Sequence, residues 1–85
     1  MIKPHKLFDR ILQGHLENVS FEDFLKLAKA FDFRLKRITG SHHILYHAKI
    51  DVTIPIQPIG KNQAKPYQIK QLLEKIKTFK LMMTE

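Results

Sequence analysis

Apolar residues recur at helical spacing near both ends of the chain and alternate with polar ones between. Leu7, Phe8, Ile11 and Leu12 follow Pro4, which suits a first helical turn, and Gly14 offers a stop, so a short helix is predicted over about 4–13. In Val19-Ser20-Phe21-Glu22-Asp23-Phe24, Ser20 is a good N-cap, Asp23 complements the helix dipole, and Val19 and Phe24 hold the staple positions. A second helix is predicted over about 20–31, burying Phe21, Phe24, Leu25, Ala28 and Phe31. Phe33 to Ile38 alternates imperfectly, as a half-solvated strand does, and Thr39-Gly40-Ser41 supplies a turn. The next strand, about 43–48, divides by parity. Ile44, Tyr46 and Ala48 are expected to face the core, with His43, Leu45 and His47 on the other side. Val52, Ile54 and Ile56 share a face of a third strand, and Pro55 argues that this strand is an edge or that the residue lies at its end. After a turn-rich connector, Pro66 opens a last helix with Ile69, Leu72, Leu73, Ile76 and Phe79 as its buried stripe.

The connections between the strands are too short for crossovers, so the sheet is expected to be antiparallel. The expected class is α+β: a short N-terminal helix, then αβββα with helices on one face. This divides the chain into a helical extension (1–19), a single domain (20–80) and a tail (81–85). Eighty-five residues leave no room for a second core. With no cysteine, neither disulfides nor thiolate metal sites can form, which is compatible with a reducing cytoplasm. No window approaches the roughly 18 apolar residues of a membrane span.

The net charge of +7 is unevenly placed. Residues 1–32 carry five basic and five acidic side chains, whereas 33–85 carry ten basic against three acidic, so the whole excess lies there. A basic, soluble domain of this kind points to a polyanion, nucleic acid ahead of a membrane surface, because the charges are not gathered beside a strongly apolar face.

The chemistry-bearing stretch is Gly40-Ser41-His42-His43, two adjacent histidines at the lip of a strand. Histidine takes and gives protons near neutral pH, and a strand fixes its direction. Ordinary surface histidines are the competing reading; His42 and His47 are candidates for a second proton-transfer role, with solvent-facing histidines the favoured reading of each. His43 and His47 lie about 13 Å apart at ~3.3 Å per residue, too far to share a metal ion, and His42 points the other way. No nucleophile elbow is present. No metal and no other cofactor is therefore expected.

The element order with a basic surface is that of the double-stranded-RNA-binding domain. The run Gly40-Ser41-His42-His43, then Pro55, Gln57-Pro58, and Gly60-Lys61 through Lys65-Pro66-Tyr67-Gln68-Ile69, resembles the HicA family of toxin ribonucleases over most of residues 20–80. The resemblance implies a small mRNA interferase of a toxin–antitoxin pair, inhibited by a HicB-type antitoxin, with His43 as the catalytic histidine. His42 occupies a position that other members fill with a different polar residue. The segment before residue 20 is longer than in the shortest members, and Ala48 stands where proline often does.

On this reading neutral His43 removes the 2′-hydroxyl proton of RNA, and backbone N–H groups at Gly40 and Ser41 cradle the phosphate. His42, Arg34, Lys36, Arg37, Lys61 and Lys65 are further candidates for holding RNA. The rival readings are a non-catalytic RNA-binding module and a basic face for an acidic partner protein.

Overall fold

The computed structural model describes residues 2–84. Its elements are α1 (Pro4–Leu12), α2 (Phe21–Ala30), β1 (Arg34–Thr39), β2 (His42–His47), β3 (Val52–Ile56) and α3 (Pro66–Thr78). The three strands form one antiparallel sheet in the order β1-β2-β3, which places Pro55 on an edge strand as expected. The fold is the anticipated α+β arrangement, αβββα after a leading helix. Among the described residues no helix is long and apolar enough to cross a membrane.

Local signals account for the element ends. Ser20 caps α2 by accepting a hydrogen bond from the Asp23 N–H at 3.0 Å. Pro4 and Pro66 stand at the first helical positions of α1 and α3. The imperfect alternation of β1 is a bulge: Leu35 pairs with Leu45 and Arg37 with Ile44, leaving Lys36 without an opposite residue.

One core holds the elements together. Leu7 and Ile11 of α1 pack with Phe21, Phe24, Leu27 and Ala28 of α2, with Leu45, Ile54 and Ile56 of the sheet, and with Ile69, Leu72 and Ile76 of α3. The parity expected of β2 is inverted. Leu45 and His47 are 2% and 3% exposed, whereas Ile44 and Tyr46 are only half-buried and Ala48 is exposed. Ladder register explains this, because Leu45 pairs with Ile54 and His43 with Ile56, and residues directly opposite share a face. The core side of β2 therefore carries His43, Leu45 and His47, and aromatic partners make that possible. Phe21 meets the His43 ring and Phe33 meets His47. In α2, Leu27 is fully buried and Leu25 only partly so. Phe79 is exposed because α3 ends at Thr78 and the chain turns away through Lys80, whose φ is +52°.

Candidate active site

Gly40 and Ser41 are the two residues closing the hairpin between β1 and β2, flanked by the Thr39–His42 pair. Gly40 has φ +60°, the backbone that a type II′ loop requires at its first position. Nothing lies within 4 Å of where a Cβ would sit, so glycine is needed here for its conformation and not for space. The tip is exposed and open to a ligand.

His43 follows the tip as the first core-side residue of β2. Its ring is half-buried and stands edge-on to Phe21, with centroids 4.9 Å apart and planes at 67°. Nδ1 lies 2.9 Å from the Ser41 carbonyl oxygen. A carbonyl only accepts, so Nδ1 carries a proton, and in the neutral ring the lone pair is then on Nε2. The carbonyl itself is held by a wider set of contacts around Ser41. The Gln57 side chain donates from Nε2 to Ser41 Oγ at 3.1 Å, and the Gln57 backbone N–H donates to Gln68 Oε1 at 3.0 Å. The hairpin tip, the residue just past β3 and the first turn of α3 thus set the orientation of one imidazole.

Underneath, the start of α2 is tied to the connector before α3. The Phe21 N–H donates to the Asn62 carbonyl at 2.7 Å, and the Ala64 N–H to that of Val19 at 2.8 Å. This anchors Phe21 against His43 and brings Lys61 to the same side of the molecule. Lys61 lines a groove of about 560 Å³ with Ser20, Glu22, Asp23, Asn62 and Gln63. Lys65, half-buried, is the residue from which α3 starts.

The remaining candidates lie elsewhere. Arg34 pairs with Tyr46 and Arg37 with Ile44, which sets them on the sheet face opposite His43. The Lys36 ammonium sits over the Tyr46 ring, 4.9 Å from its centroid, on that same outer face. Lys36 and Arg37 line a shallow groove there with Ile44, Thr53 and Pro55. The Arg34 guanidinium reaches Asp32 at 3.8 Å. His42, next to His43 on the strand, is exposed on the outer side. Tyr46 donates its hydroxyl to Asp51 at 3.2 Å, and that bond, with the carboxylate charge beside it, holds the phenol above its ordinary pKa. His47 faces the core, not solvent, and its buried Nδ1 has no hydrogen-bond partner among the described residues.

The structure thus ties Ser41 and His43 to the connector that carries Lys61 and to the start of α3 at Lys65, and places His42, Arg34, Lys36 and Arg37 on the opposite sheet face. In the sequence Phe21 reads only as a core residue of the second helix, and Gln57 and Gln68 only as residues that carry the resemblance, so none of the three is expected at the site. The available signal was two amide side chains at the two ends of a short connector, long enough to bridge back to a hairpin tip. Among the described residues no group of three His, Asp or Glu side chains converges as a metal site would require. What the arrangement offers chemically is an imidazole whose neutral form keeps its proton on Nδ1, beside an exposed glycine turn.

A family model described as the HicA toxin of bacterial toxin–antitoxin systems matches residues 21–78. The match begins at the first residue of α2 and ends at the last of α3, leaving α1 outside it. No curated protein and no solved structure matches the chain.

Proposed function

The chain belongs to the HicA toxin family of bacterial toxin–antitoxin systems, and from that premise we propose that it is an endoribonuclease cleaving RNA, mRNA in particular, with His43 as general base and without a metal. The observation that carries this reading is the bond from His43 Nδ1 to the Ser41 carbonyl. It leaves Nε2 as an acceptor aimed by its surroundings, which is what a base toward a ribose hydroxyl needs.

RNA carries its own nucleophile. Nε2 takes the 2′-hydroxyl proton, O2′ attacks phosphorus, and the P–O5′ bond breaks. The products are a 2′,3′-cyclic phosphate and a 5′-hydroxyl end. The leaving oxygen takes its proton from solvent, since His47 is buried in the core and His42 is on the opposite face. The backbone of Gly40 and Ser41 approaches the phosphate, whose developing charge amide donors stabilise. Lys61 and Lys65 hold backbone phosphates on the catalytic side. Arg34, Lys36, Arg37 and His42 serve the flanking strand across the outer face. Phosphate contacts of this kind give affinity without sequence choice. In the cytoplasm a HicB-type antitoxin holds the activity in check.

The test is cleavage of a single-stranded RNA in EDTA. Wild-type protein is expected to release cyclic-phosphate ends, and His43→Ala to lower the rate by on the order of 10²–10⁴ while its circular dichroism stays unchanged. Full activity in the variant overturns the assignment of His43. RNA bound tightly but left intact by the wild-type chain would identify a non-catalytic RNA-binding module.

A further inference from the structure

The leading helix carries charge that the sequence balance conceals. Lys6 and Arg10 stand one turn apart on α1 and Lys3 is the residue that caps it, all three flanking the buried Leu7. All three are exposed, and none enters an ion pair among the described residues. Together they line a groove of about 580 Å³ between α1 and the start of α2, with Ile2, Leu7, Asn18, Val19 and Asp23. The groove meets the Lys61 groove at Asp23, which lines both. Its floor continues into the segment that supports the histidine, because Val19 precedes by two residues the Phe21 ring that meets His43.

We propose that α1 is an RNA-backbone-binding element, with Lys3, Lys6 and Arg10 contacting phosphates of the strand that leaves the His43 site past Lys61. The proposal rests on the nuclease reading and assigns a purpose to a helix that lies outside the family match. Charge decides the occupant. Three unpaired cations face one carboxylate, that of Asp23, so the groove keeps a net positive character suited to a polyanion. It has no aromatic side chain, the anchor that the centre of a protein interface favours, and it is rich in lysine, which such centres exclude.

The experiment uses the full chain carrying His43→Ala, so that RNA survives, and measures anisotropy of a labelled single-stranded RNA in EDTA over a range of salt. Adding Lys3→Gln, Lys6→Gln and Arg10→Gln is expected to weaken binding on the order of tenfold or more near 0.1 M salt. It should also reduce the slope of log affinity against log salt by about 2, the value for three lost contacts to a single strand. The charge-matched set Lys26→Gln, Lys29→Gln and Lys49→Gln should bind more nearly as the parent does. An unchanged slope in the α1 set, or an equal loss in the control, overturns the proposal. So does retained RNA affinity with weakened capture of the antitoxin, which would make this face a protein-binding one. Cleavage by the wild-type chain is scored separately, so the nuclease reading can stand if the α1 proposal falls.

Discussion

At the scale of single residues, the backbone of Ser41 counts for more than its side chain. The carbonyl fixes the His43 tautomer, whereas the hydroxyl only receives a bond from Gln57. An exposed hydrogen bond of that kind contributes about 1 kcal/mol. Ser41→Ala should therefore cost less than tenfold in cleavage rate, far below His43→Ala, which a side-by-side rate measurement would show; a loss as large as that of His43→Ala would give the hydroxyl a direct part. His47 poses the opposite case. Its buried Nδ1 finds no partner among the described residues, and an unsatisfied buried polar atom costs about 1–3 kcal/mol. His47→Leu, of similar size and apolar, should leave the melting temperature unchanged or raise it. A clear drop in a thermal melt would show that the imidazole makes a contribution its contacts do not reveal. At Tyr46 the Asp51 carboxylate favours the neutral phenol, so Asp51→Asn should bring the phenol's pKa down toward its ordinary value, read as the ultraviolet absorbance of the phenolate against pH. These same residues show why the core side of β2 was misread. Histidine scores as polar, yet His43 and His47 each meet a phenylalanine ring, while Tyr46 remains half-covered beneath a lysine. Leu45 alone could not outvote Ile44 and Tyr46 in a parity count. The ladder with Ile54 settles the face, and pairing is not visible in a single strand.

At the scale of elements, the signals that were legible are those written in consecutive residues. Ser20 before Phe21, Pro4 and Pro66 at helix starts, and Gly40 in a two-residue turn all act through bonds or angles within a few positions of themselves. The bulge at Lys36 was foreshadowed by two adjacent basic residues that broke the alternation of β1. What depended on distant partners was hidden. Gln57 and Gln68 are eleven positions apart and meet because the connector folds back; the placement of Arg34 and Arg37 on the outer sheet face likewise follows from register. The tie between the start of α2 and that connector yields a prediction. Ser20→Ala removes the side-chain acceptor of the Asp23 N–H, at a cost of about 1 kcal/mol. For a domain of this size the melting temperature should fall by roughly 4–8 °C. A loss of cleavage well beyond that expected from the unfolded fraction would show that the cap also positions Phe21 beneath His43.

At the scale of the whole molecule, the family match and the hydrophobic core have different extents. The match covers 21–78, but Leu7 and Ile11, 2% and 3% exposed, belong to the same cluster as Phe24, Ile54 and Leu72. Thr84, near the other end, donates its N–H to the Ala30 carbonyl at 2.7 Å. The αβββα unit in this chain is therefore closed by residues at both of its margins. A chain of this length holds on the order of 5–10 kcal/mol of net stability, and fully burying a leucine or isoleucine side chain contributes about 1.5–3 kcal/mol. Deleting residues 1–13 exposes the surface that Leu7 and Ile11 cover, so it should remove about half of that stability. The urea midpoint should fall, by less than the stability does, since the slope also drops because less surface is exposed on unfolding. A truncated chain with the same midpoint would show α1 to be an appendage and not part of the core. Because the deletion weakens the fold as well as removing Lys3, Lys6 and Arg10, lost RNA binding after truncation has two causes that the measurement cannot separate. Replacing only those exposed side chains leaves Leu7 and Ile11 in place, and the salt dependence then reports the charges alone.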